Sequence, residues 1–460
     1  MISAQELIER ITSGAPFSDC IVIVTDSTQA NLRWANSTLT TNGVIANRSV
    51  TVIAFVEMDG GMAAGSVTRT DVEIHEIEAV INEAGAAAKA AGKAEDFAPL
   101  ATNVVRGSWR DAHHATGPEV FSNIAPDLGQ MFAASVKDGI ELFGYAEHTH
   151  KTTWLGSKGG LRLRFDQPAG RVEMTGKSHQ RSRSTWHGVA TRDFSNVSIP
   201  KVDEQIRKRL EWQGKKISLP AGRYDTLFPS GSISDLITYM LWTASGRDAH
   251  EGRSPFSKPG GGTRIGEKFS NQSAHLYSDP TYKGLESIAF TVAGASSEFT
   301  SVFDNGQKIG KTEWISGGVL KNLVTTRAAS KMTSLAPAAM GDNLILSVDG
   351  GSGSFDDLVK SMDRGLLITT LWYIRMVDPQ TLLLTGLTRD GIYLVEGGEV
   401  QGAVNNFRWN DSPLNLLQNI ARAGATEITQ PREWADYVDR TAMPPMIIKD
   451  FNMSTVSEAN

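Results

Sequence analysis

The stretch from residue 364 to residue 400 reads RGLLITTLWYIRMVDPQTLLLTGLTRDGIYLVEGGEV, and it decides the fold class of the chain. Short apolar runs alternate in it with Gly, Asp and Pro, a pattern typical of antiparallel strands joined by tight turns. It predicts strands over Leu366–Val377 and Thr381–Leu387, joined at residues 378–380, with hairpin turns at residues 389–391 and at Gly397-Gly398. The C-terminal part of the chain is therefore expected to be rich in β-structure.

Two capped helices flank this β-rich stretch. Ser354, followed by two aspartates, is an N-cap signature, and Gly365 is expected to end that helix. Ser412 with Pro413 begins the second helix, which is expected to end at Gly424. Both assignments use the preference for a hydroxyl or carboxylate side chain at the start of a helix and glycine after its end.

The region upstream mixes helices with strands. Apolar residues at helical spacing predict helices over Ala4–Ile11, Asp71–Lys93 (with Asp71 as its cap), Val202–Leu210 and Ser232–Leu241. Alternating patterns predict strands from Ile21, over Val44–Val56 and between Glu141 and Phe194. Residues 246–279 are rich in Gly, Ser, Pro and Lys without periodicity, so they predict a long mobile loop.

These patterns predict an α+β protein of two domains. The Lys215–Gly222 stretch has the composition of a linker, which places an N-terminal α/β domain with a mixed or antiparallel sheet at residues 1–214. A β-rich C-terminal domain is expected over residues 215–450, and residues 451–460 are expected to be a frayed tail.

Composition excludes several classes of protein. The chain has 460 residues, of which 40% are hydrophobic and 21% charged, values that exclude global disorder. The single cysteine, Cys20, can form neither an intramolecular disulfide nor a cysteine-based zinc site, and it is interpreted as a core residue. Apolar runs are of strand length, and the N-terminal residues do not resemble a signal peptide. We therefore expect a cytoplasmic protein without membrane segments.

Charge is distributed unevenly along the chain. The formal net charge is −6, yet residues 151–223 contain 16 Lys and Arg against 6 Asp and Glu. In Leu161–Phe165 the arginines alternate with apolar residues, which predicts that Arg162 and Arg164 lie on the solvated face of an antiparallel sheet. A surface facing a peptide or partner is the alternative. No helix-turn-helix, RNA-binding or Cys/His finger pattern is present, so nucleic acid is not expected as a partner.

Histidines offer incomplete metal sites. His75-Glu76 begins like the zinc motif HExxH, but Ala79 and Val80 stand where a second histidine would be needed. His148 and His150 alternate on a predicted strand and could chelate a metal, with His179 or His187 as a third ligand. The alternative is that these are ordinary surface or interface histidines. His113-His114 is a weaker signal of the same kind, and His250-Glu251 has no histidine partner.

Other catalytic motifs are missing from the sequence. It contains no GxSxG nucleophile elbow and no phosphate-binding loop, and no GK[ST] follows the glycines at 260–262. Residue patterns alone therefore predict no complete catalytic site.

Several short motifs, taken in order, resemble the TldD/PmbA metallopeptidase family, specifically its TldE-like (PmbA-like) branch. They are Arg33-Trp34-Ala35-Asn36-Ser37, Trp154-Leu155 followed by Gly159-Gly160-Leu161-Arg162, Phe303-Asp304-Asn305-Gly306, Arg364-Gly365-Leu366-Leu367-Ile368-Thr369 and Val395-Glu396-Gly397-Gly398-Glu399-Val400. Each motif is short, but their order and spacing are specific, and they extend over nearly the whole chain.

The resemblance implies a dimer that encloses a cleft, in which a zinc peptidase cuts unstructured peptides. Catalytic members carry HExxxH early in the C-terminal domain, whereas the matching stretch here, Leu236–Leu241, has neither His nor Glu. The resemblance thus predicts a subunit with no catalytic residues and no metal of its own. It would bind substrate beside the zinc of an HExxxH-bearing, TldD-like paralogue in a heterodimer.

Two alternatives remain at this point. The chain could be a self-sufficient metallopeptidase whose metal site uses His148 and His150. It could also be a peptide-binding module with no peptidase association.

Overall fold

The computed structural model describes residues 2–105 and 107–458, and it has the α+β architecture that the sequence predicts. The N-terminal part is built from one large sheet and four α-helices. Its strands are β1 Asp19–Ala35, β2 Thr38–Met58, β3 Gly61–Thr70, β4 Glu141–Ser157, β5 Arg162–Ser178 and β6 Arg183–Thr191. Its helices are α1 Ala4–Gly14, α2 Ile77–Ala91, α3 Ala125–Lys137 and α4 Ile199–Trp212.

The N-terminal sheet is antiparallel throughout, in the order β3-β2-β1-β4-β5-β6. β1 and β2 are joined at Asn36 and Ser37, whose φ angles of 50° and 57° fit the left-handed conformation of a two-residue hairpin turn. Just before the turn, Trp34 is buried at 3% exposure. The Arg33–Ser37 motif therefore both forms the turn and anchors the hairpin in the core.

The two faces of the N-terminal sheet pack against different partners. Even-numbered residues of β1, such as Val22 and Val24, pack in one core with α1 and α2. Odd-numbered residues, such as Ile21 and Ile23, pack with Phe303 from the C-terminal half. Side chains alternate along a strand, so β1 presents one face to helices and the other to the second half of the chain.

The C-terminal part contains three sheets and five helices. Its helices are α5 Ser230–Leu241, α6 Gly246–His250, α7 Arg327–Thr333, α8 Phe355–Lys360 and α9 Pro413–Gln418. Its strands are β7 Lys216–Ile217, β8 Gly222–Phe228, β9 Ala274–Ser278, β10 Thr312–Ser316, β11 Val319–Leu320, β12 Ile345–Val348, β13 Arg364–Ile368, β14 Leu371–Asp378, β15 Leu383–Thr388, β16 Ile392–Glu396, β17 Glu399–Val404, β18 Phe407–Asp411, β19 Ile420–Ala423, β20 Glu427–Thr429, β21 Thr441–Met443, β22 Met446–Met453 and β23 Thr455–Val456.

These strands form sheets of mixed direction. Their orders are β11-β10-β9-β12-β21-β20, β19-β22-β8-β13-β16-β17-β7 and β14-β15-β18-β23. The largest apolar core of the chain lies between them and includes Ile237 of α5, Phe407 and Trp409. Helix α5 starts directly after β8, and ten of its twelve residues are buried, so it is a central element of this half. None of the helices in the described part of the chain has the length and apolar character needed to cross a membrane.

The strand predictions for residues 366–398 hold in part. The turn after Asp378 and the hairpin at Gly397-Gly398 are confirmed by the β14–β15 and β16–β17 pairs. The single strand predicted over Leu366–Val377 is wrong, because the chain breaks at residues 369–370 and passes from one sheet to another. Residues 389–391 likewise connect two sheets and form no hairpin, since β15 pairs with β14 and β18 while β16 pairs with β13 and β17.

Several predicted helix ends were also wrong. Asp71 does not cap α2; a capping box formed by Glu73 and Glu76 precedes it. Ser354 and Ser412 do cap α8 and α9, but both helices are short. They end well before the predicted glycines: Gly365 lies in β13, and β19 separates α9 from Gly424.

Residues 246–279 form the predicted aperiodic loop only in part, because residues 251–273 lie outside helices and strands but both ends of the segment are regular. They contain α6 and β9, and the stacked rings of Phe256 and Phe269 are each only 1% exposed. The frayed tail predicted for residues 451–460 is wrong over residues 451–456, because Phe451 and Met453 are buried in β22 and Thr455–Val456 forms β23. Residues 459–460 lie outside the described part of the chain. Isolated aromatic residues without periodicity anchor both segments, and the sequence pattern does not reveal them.

Arg164 does not lie on the predicted solvated face. It is 6% exposed, binds Asp166 at 2.6 Å, and lies over the ring of Trp154. Arg162 is also largely covered, because it pairs with Glu9 of α1 at 2.6 Å. The sheet face that carries Arg162 and Arg164 was predicted to be solvated, but α1 and the segment after residue 107 cover it.

Candidate functional site

A cleft of about 560 Å³ lies between the N-terminal sheet and the C-terminal half of the chain. Lys151 and Thr153 of β4 and Phe165 and Gln167 of β5 form one wall. They share one face because Lys151 pairs with Gln167 and Thr153 with Phe165 in the antiparallel register. The strand alternation thus places a cation, a hydroxyl, an aromatic ring and an amide side by side.

Helix α5 and the chain just after it form the opposite wall. Thr238 and Leu241 line the cleft from the C-terminal end of the helix, followed by Trp242. The Trp242 ring lies 5.2 Å from Trp434 and 6.0 Å from Tyr437, centroid to centroid. Tyr437 is 78% exposed, so this wall offers aromatic surface to a ligand.

Charged side chains of both signs also line the cleft. Asp342 and Asp439 come from the C-terminal half and face Lys151 of the sheet. Arg440 is 7% exposed and donates from Nη2 to the carbonyl oxygen of Pro168 at 3.2 Å, which joins the two walls. Burial lowers the pKa of Arg440.

A second, more polar cavity of about 370 Å³ adjoins the cleft along the same sheet face and shares Lys151 and Asp439 with it. Arg171 lines this cavity, 3.5 Å from Glu147 and 2.7 Å from Asp436. Burial raises the pKa of Glu147, against the lowering effect of Arg171. The two cavities together form a groove that runs across β4 and β5.

Helix α5 carries one buried carboxyl group and no imidazole. Asp235 is fully buried; its Oδ1 accepts a hydrogen bond from the backbone N–H of Glu433 at 2.9 Å, and its Oδ2 has no partner among the described residues. Burial raises the pKa of Asp235 well above its usual range. A neutral carboxyl group is a poor ligand for zinc, which in proteins is held by imidazole, thiolate or carboxylate groups. The residues of α5 therefore do not fit a zinc ion.

Both ring nitrogens of His148 form hydrogen bonds within the protein. Its Nε2 lies 2.8 Å from the carbonyl oxygen of Arg192, which can only accept, so Nε2 carries the proton. Its Nδ1 then accepts from the hydroxyl group of Thr116 at 2.7 Å. Both ring nitrogens are occupied, and burial lowers the pKa of this imidazole. His148 has no lone pair left for a metal ion.

The four histidines proposed as ligands do not come together. His179 follows the end of β5, roughly 36 Å along the strand from Pro168, the residue that pairs with His150. His187 lies on β6 opposite Met174. His150 instead meets His113 and His114, at ring-centroid distances of 5.9 Å and 5.6 Å. Each of these histidines is visible in the sequence, but no local sequence pattern indicates that His113, His114 and His150 lie close together.

The other sequence candidates lie away from the cleft. His75 is exposed and pairs with Glu73 at 3.3 Å, ahead of α2. His250 ends the short helix α6. Cys20 is buried in the core, as predicted, and burial raises the pKa of its thiol to about 12.

The Asp304 motif has a structural role beside the cleft. Arg327 donates from Nε to Asp304 Oδ1 at 2.6 Å, and Asn305 donates to the carbonyl oxygens of Ala293 and Val302. These contacts fix the loops that carry several cleft residues.

The family model of the PmbA/TldA metallopeptidase C-terminal domain matches residues 221–455, slightly more than half of the chain. The chain belongs to this metallopeptidase family. The matched region begins just before β8, the strand that precedes α5, and includes most of the three C-terminal sheets. The family resemblance drawn from the short motifs is thus confirmed, and the cleft wall built by α5 belongs to the family domain.

Solved structures show the same fold over nearly the full length. TldE from Thermococcus kodakarensis aligns with a TM-score of 0.76 at 17% identity, covering 97% of this chain and 99% of that one. A candidate modulator of a DNA gyrase from Thermotoga maritima MSB8 has the same scores and coverage. A candidate modulator of DNA gyrase from Bacteroides thetaiotaomicron VPI-5482 aligns with a TM-score of 0.73 at 14% identity, covering 99% and 100%. No curated protein matches the sequence.

Proposed function

We propose that this chain is the substrate-binding, non-catalytic subunit of a two-subunit zinc peptidase of the TldD/TldE type. It acts in the cytoplasm on unstructured peptides. Its partner is an HExxxH-bearing paralogue that supplies the zinc ion and the glutamate that activates water. This chain supplies the cleft that holds an extended peptide.

The observation that carries the proposal is the composition of α5. In a metallopeptidase family whose catalytic members hold zinc early in the C-terminal domain, this helix faces the cleft with Thr238 and Leu241. Its only titratable side chains are those of the buried Asp235 and of Tyr239. The chain thus has a cleft but no zinc ligands on α5. This combination fits a subunit that binds peptides, which a partner subunit then cuts. The likeness of the fold to TldE agrees with this branch of the family.

The lining of the cleft suits peptides of varied sequence. Aromatic surface at Trp242 and Tyr437 can pack against apolar side chains, while Lys151 and Asp439 can pair with charged ones. Such a mixed surface does not specify one residue type. It matches a role in the turnover of unfolded chains better than recognition of one sequence.

Co-expression tests the proposal. The chain is produced with an HExxxH-bearing paralogue from the same genome, and the mixture is analysed by size-exclusion chromatography and by cleavage of a fluorogenic unstructured peptide. We expect one joint peak and activity that needs both chains. A paralogue carrying Gln in place of its HExxxH glutamate is the matched control and should form the complex without cleaving.

Two results would contradict the proposal. One is a pair of separate peaks together with full activity of the paralogue alone. The other is peptidase activity of this chain alone, which would support the self-sufficient alternative.

A further inference from the structure

Three side chains with metal-ligand chemistry converge on the helix-facing side of the N-terminal sheet. His114, His150 and Asp166 each offer one ligand atom, and these atoms all lie within 4.8 Å of one another. His150 is on β4 and Asp166 is on β5 opposite Thr152, so the register of the two strands places them on the same face. His114 comes from the segment between residues 107 and 117.

The fold builds this convergence by pinning that segment to the sheet. Arg164 donates to the carbonyl oxygen of Ala112, the Nδ1 of His113 lies 2.8 Å from the hydroxyl oxygen of Thr152, and the N–H of Thr116 donates to Thr28 at 2.9 Å. The three attachments come from three different strands. The two adjacent histidines are therefore held above β4 by contacts of their neighbours.

Two ring nitrogens at this place are buried without a partner among the described residues: His113 Nε2 and His150 Nδ1. The Thr152 hydroxyl donates to Asp166 Oδ1 at 2.5 Å, so it must accept from the Nδ1–H of His113. This fixes the tautomer of His113 and leaves a lone pair on its Nε2. A buried ring nitrogen without a hydrogen-bond partner is costly, and a metal ion bound to Nδ1 of His150 would satisfy that nitrogen.

Charged groups of both signs surround the proposed site. Asp26 and Asp166 are the carboxylates near His113, and Arg164 is the opposing cation. Arg164 binds both oxygens of Asp166, at 2.6 Å and 3.1 Å, which reduces the pull of this carboxylate on a cation. Affinity must therefore come mainly from the imidazole nitrogens.

We propose that His114, His150 and Asp166, with His113 beside them, bind a first-row transition-metal ion such as Zn²⁺. Two imidazoles and one carboxylate form a donor set that zinc accepts in a tetrahedral site, with water as the fourth ligand. Donor atoms around tetrahedral zinc lie roughly 3.3 Å apart, so no pair of ligand atoms has to close by more than about 1.5 Å. The His114 ring, whose side chain is 67% exposed, is free to make that movement.

This site is separate from the peptide cleft. Lys151, Thr153 and Phe165 line the cleft, whereas His150 and Asp166 project from the other face of the same two strands. A metal ion here would cross-link the 107–117 segment to β4 and β5, and it would have no contact with a substrate in the cleft. The inference differs from the sequence-based expectation that the chain holds no metal, and it does not depend on the proposed function.

Cobalt titration tests the site. The full chain is purified without a polyhistidine tag and titrated with CoCl₂ while the visible absorption of Co²⁺ is followed; ZnCl₂ then competes for the site. We expect saturation at one ion per chain with the intense absorption of a tetrahedral complex, and displacement by Zn²⁺. His114→Ala and His150→Ala should each weaken binding at least tenfold.

Matched controls come from two other histidines that each face one carboxylate. His75 pairs with Glu73 and His275 with Asp349, so His75→Ala and His275→Ala should leave the titration unchanged. No saturable binding, or binding that neither His114→Ala nor His150→Ala alters, would overturn the proposal. If His150→Ala disturbs folding, the exposed His114 decides the matter alone. Peptidase activity of the isolated chain that is lost in His150→Ala would instead contradict the proposed function.

Discussion

Arg171 on β5 and Asp436, 265 residues later in the chain, lie 2.7 Å apart. Their ion pair joins the N-terminal sheet to the segment between β20 and β21. The same guanidinium lies 3.5 Å from Glu147 and 3.8 Å from Glu173, and 5.2 Å from the ring centroid of Tyr145. One cation therefore balances several carboxylates at the polar end of the groove.

Removing the two partners of this pair should have unequal effects. The Asp436 side chain is 81% exposed, so Asp436→Ala should change the free energy of unfolding by less than about 1 kcal/mol. The Arg171 side chain is 14% exposed, and its loss removes the cation that lies 3.5 Å from Glu147 and 3.8 Å from Glu173. Arg171→Ala should therefore cost roughly 2–4 kcal/mol. Urea unfolding of both variants measures this, and equal effects would contradict it.

Asp235→Asn should make the protein more stable at high pH. The pKa of Asp235 is raised in the folded state, so the folded protein holds this proton more tightly than the unfolded chain does. Stability therefore falls as the pH rises above the unfolded value near 4, by about 1.4 kcal/mol for each pH unit until the folded pKa is reached. Asparagine keeps the Oδ1 acceptor for the N–H of Glu433 and has no acidic proton to lose.

Thermal unfolding between pH 5 and pH 8 checks this expectation. The melting temperature of Asp235→Asn relative to the wild-type chain should increase with pH. Asp59→Asn, at an exposed turn, is the control and should show no such trend. A deficit of the same size at pH 5 and pH 8 would show that Asp235 is not the group responsible.

Gly65→Ala should be strongly destabilising. A methyl group at Gly65 would lie 2.0 Å from the backbone nitrogen of Ala88, so β3 and α2 would have to move apart. Overpacking of this kind costs roughly 1–3 kcal/mol. Gly43→Ala is a matched control, because nothing lies within 4 Å of the position its methyl group would take. Chemical denaturation should separate the two variants, and similar midpoints would argue against the close contact.

Tyr437→Ala should weaken peptide binding without affecting folding. Tyr437 is 78% exposed on the cleft wall, where aromatic side chains supply much of the contact energy in binding sites. In the complex with the paralogue we expect KM to rise roughly tenfold, which corresponds to about 1.4 kcal/mol. Tyr373→Ala removes another exposed tyrosine that does not line the cleft and should leave KM unchanged. A rise of equal size in both variants would point to a general effect.

Turns and helix caps could be predicted from the sequence, because each depends on residues that are close together in the chain. The hairpin at Gly397-Gly398 follows from glycine, whose φ angles there are 58° and 79°, in the left-handed region. The caps at Ser354 and Ser412 follow from side-chain acceptors for helix N–H groups. The absence of zinc ligands between Leu236 and Leu241 is also visible in the sequence alone.

Features that depend on distant residues could not be predicted in this way. The histidine cluster joins residues 114, 150 and 166, and only the strand register and the pinned segment bring them together. Arg164 was misplaced for a similar reason: alternation says which residues share a face, but not what covers that face. The cleft likewise depends on how the N-terminal sheet packs against the C-terminal half, and this packing cannot be predicted from local sequence patterns.

The alternation of β4 has a genetic consequence. Its odd-numbered residues line the cleft and its even-numbered residues include His148, His150 and Thr152, so a single-codon deletion between residues 146 and 150 would exchange the two sets unless the strand bulged. One such event would turn Lys151 toward the helices and an imidazole toward the peptide. A deletion in the turn at residues 158–160 would shift neither set. Natural length variation among related chains should therefore fall in that turn and avoid the strand.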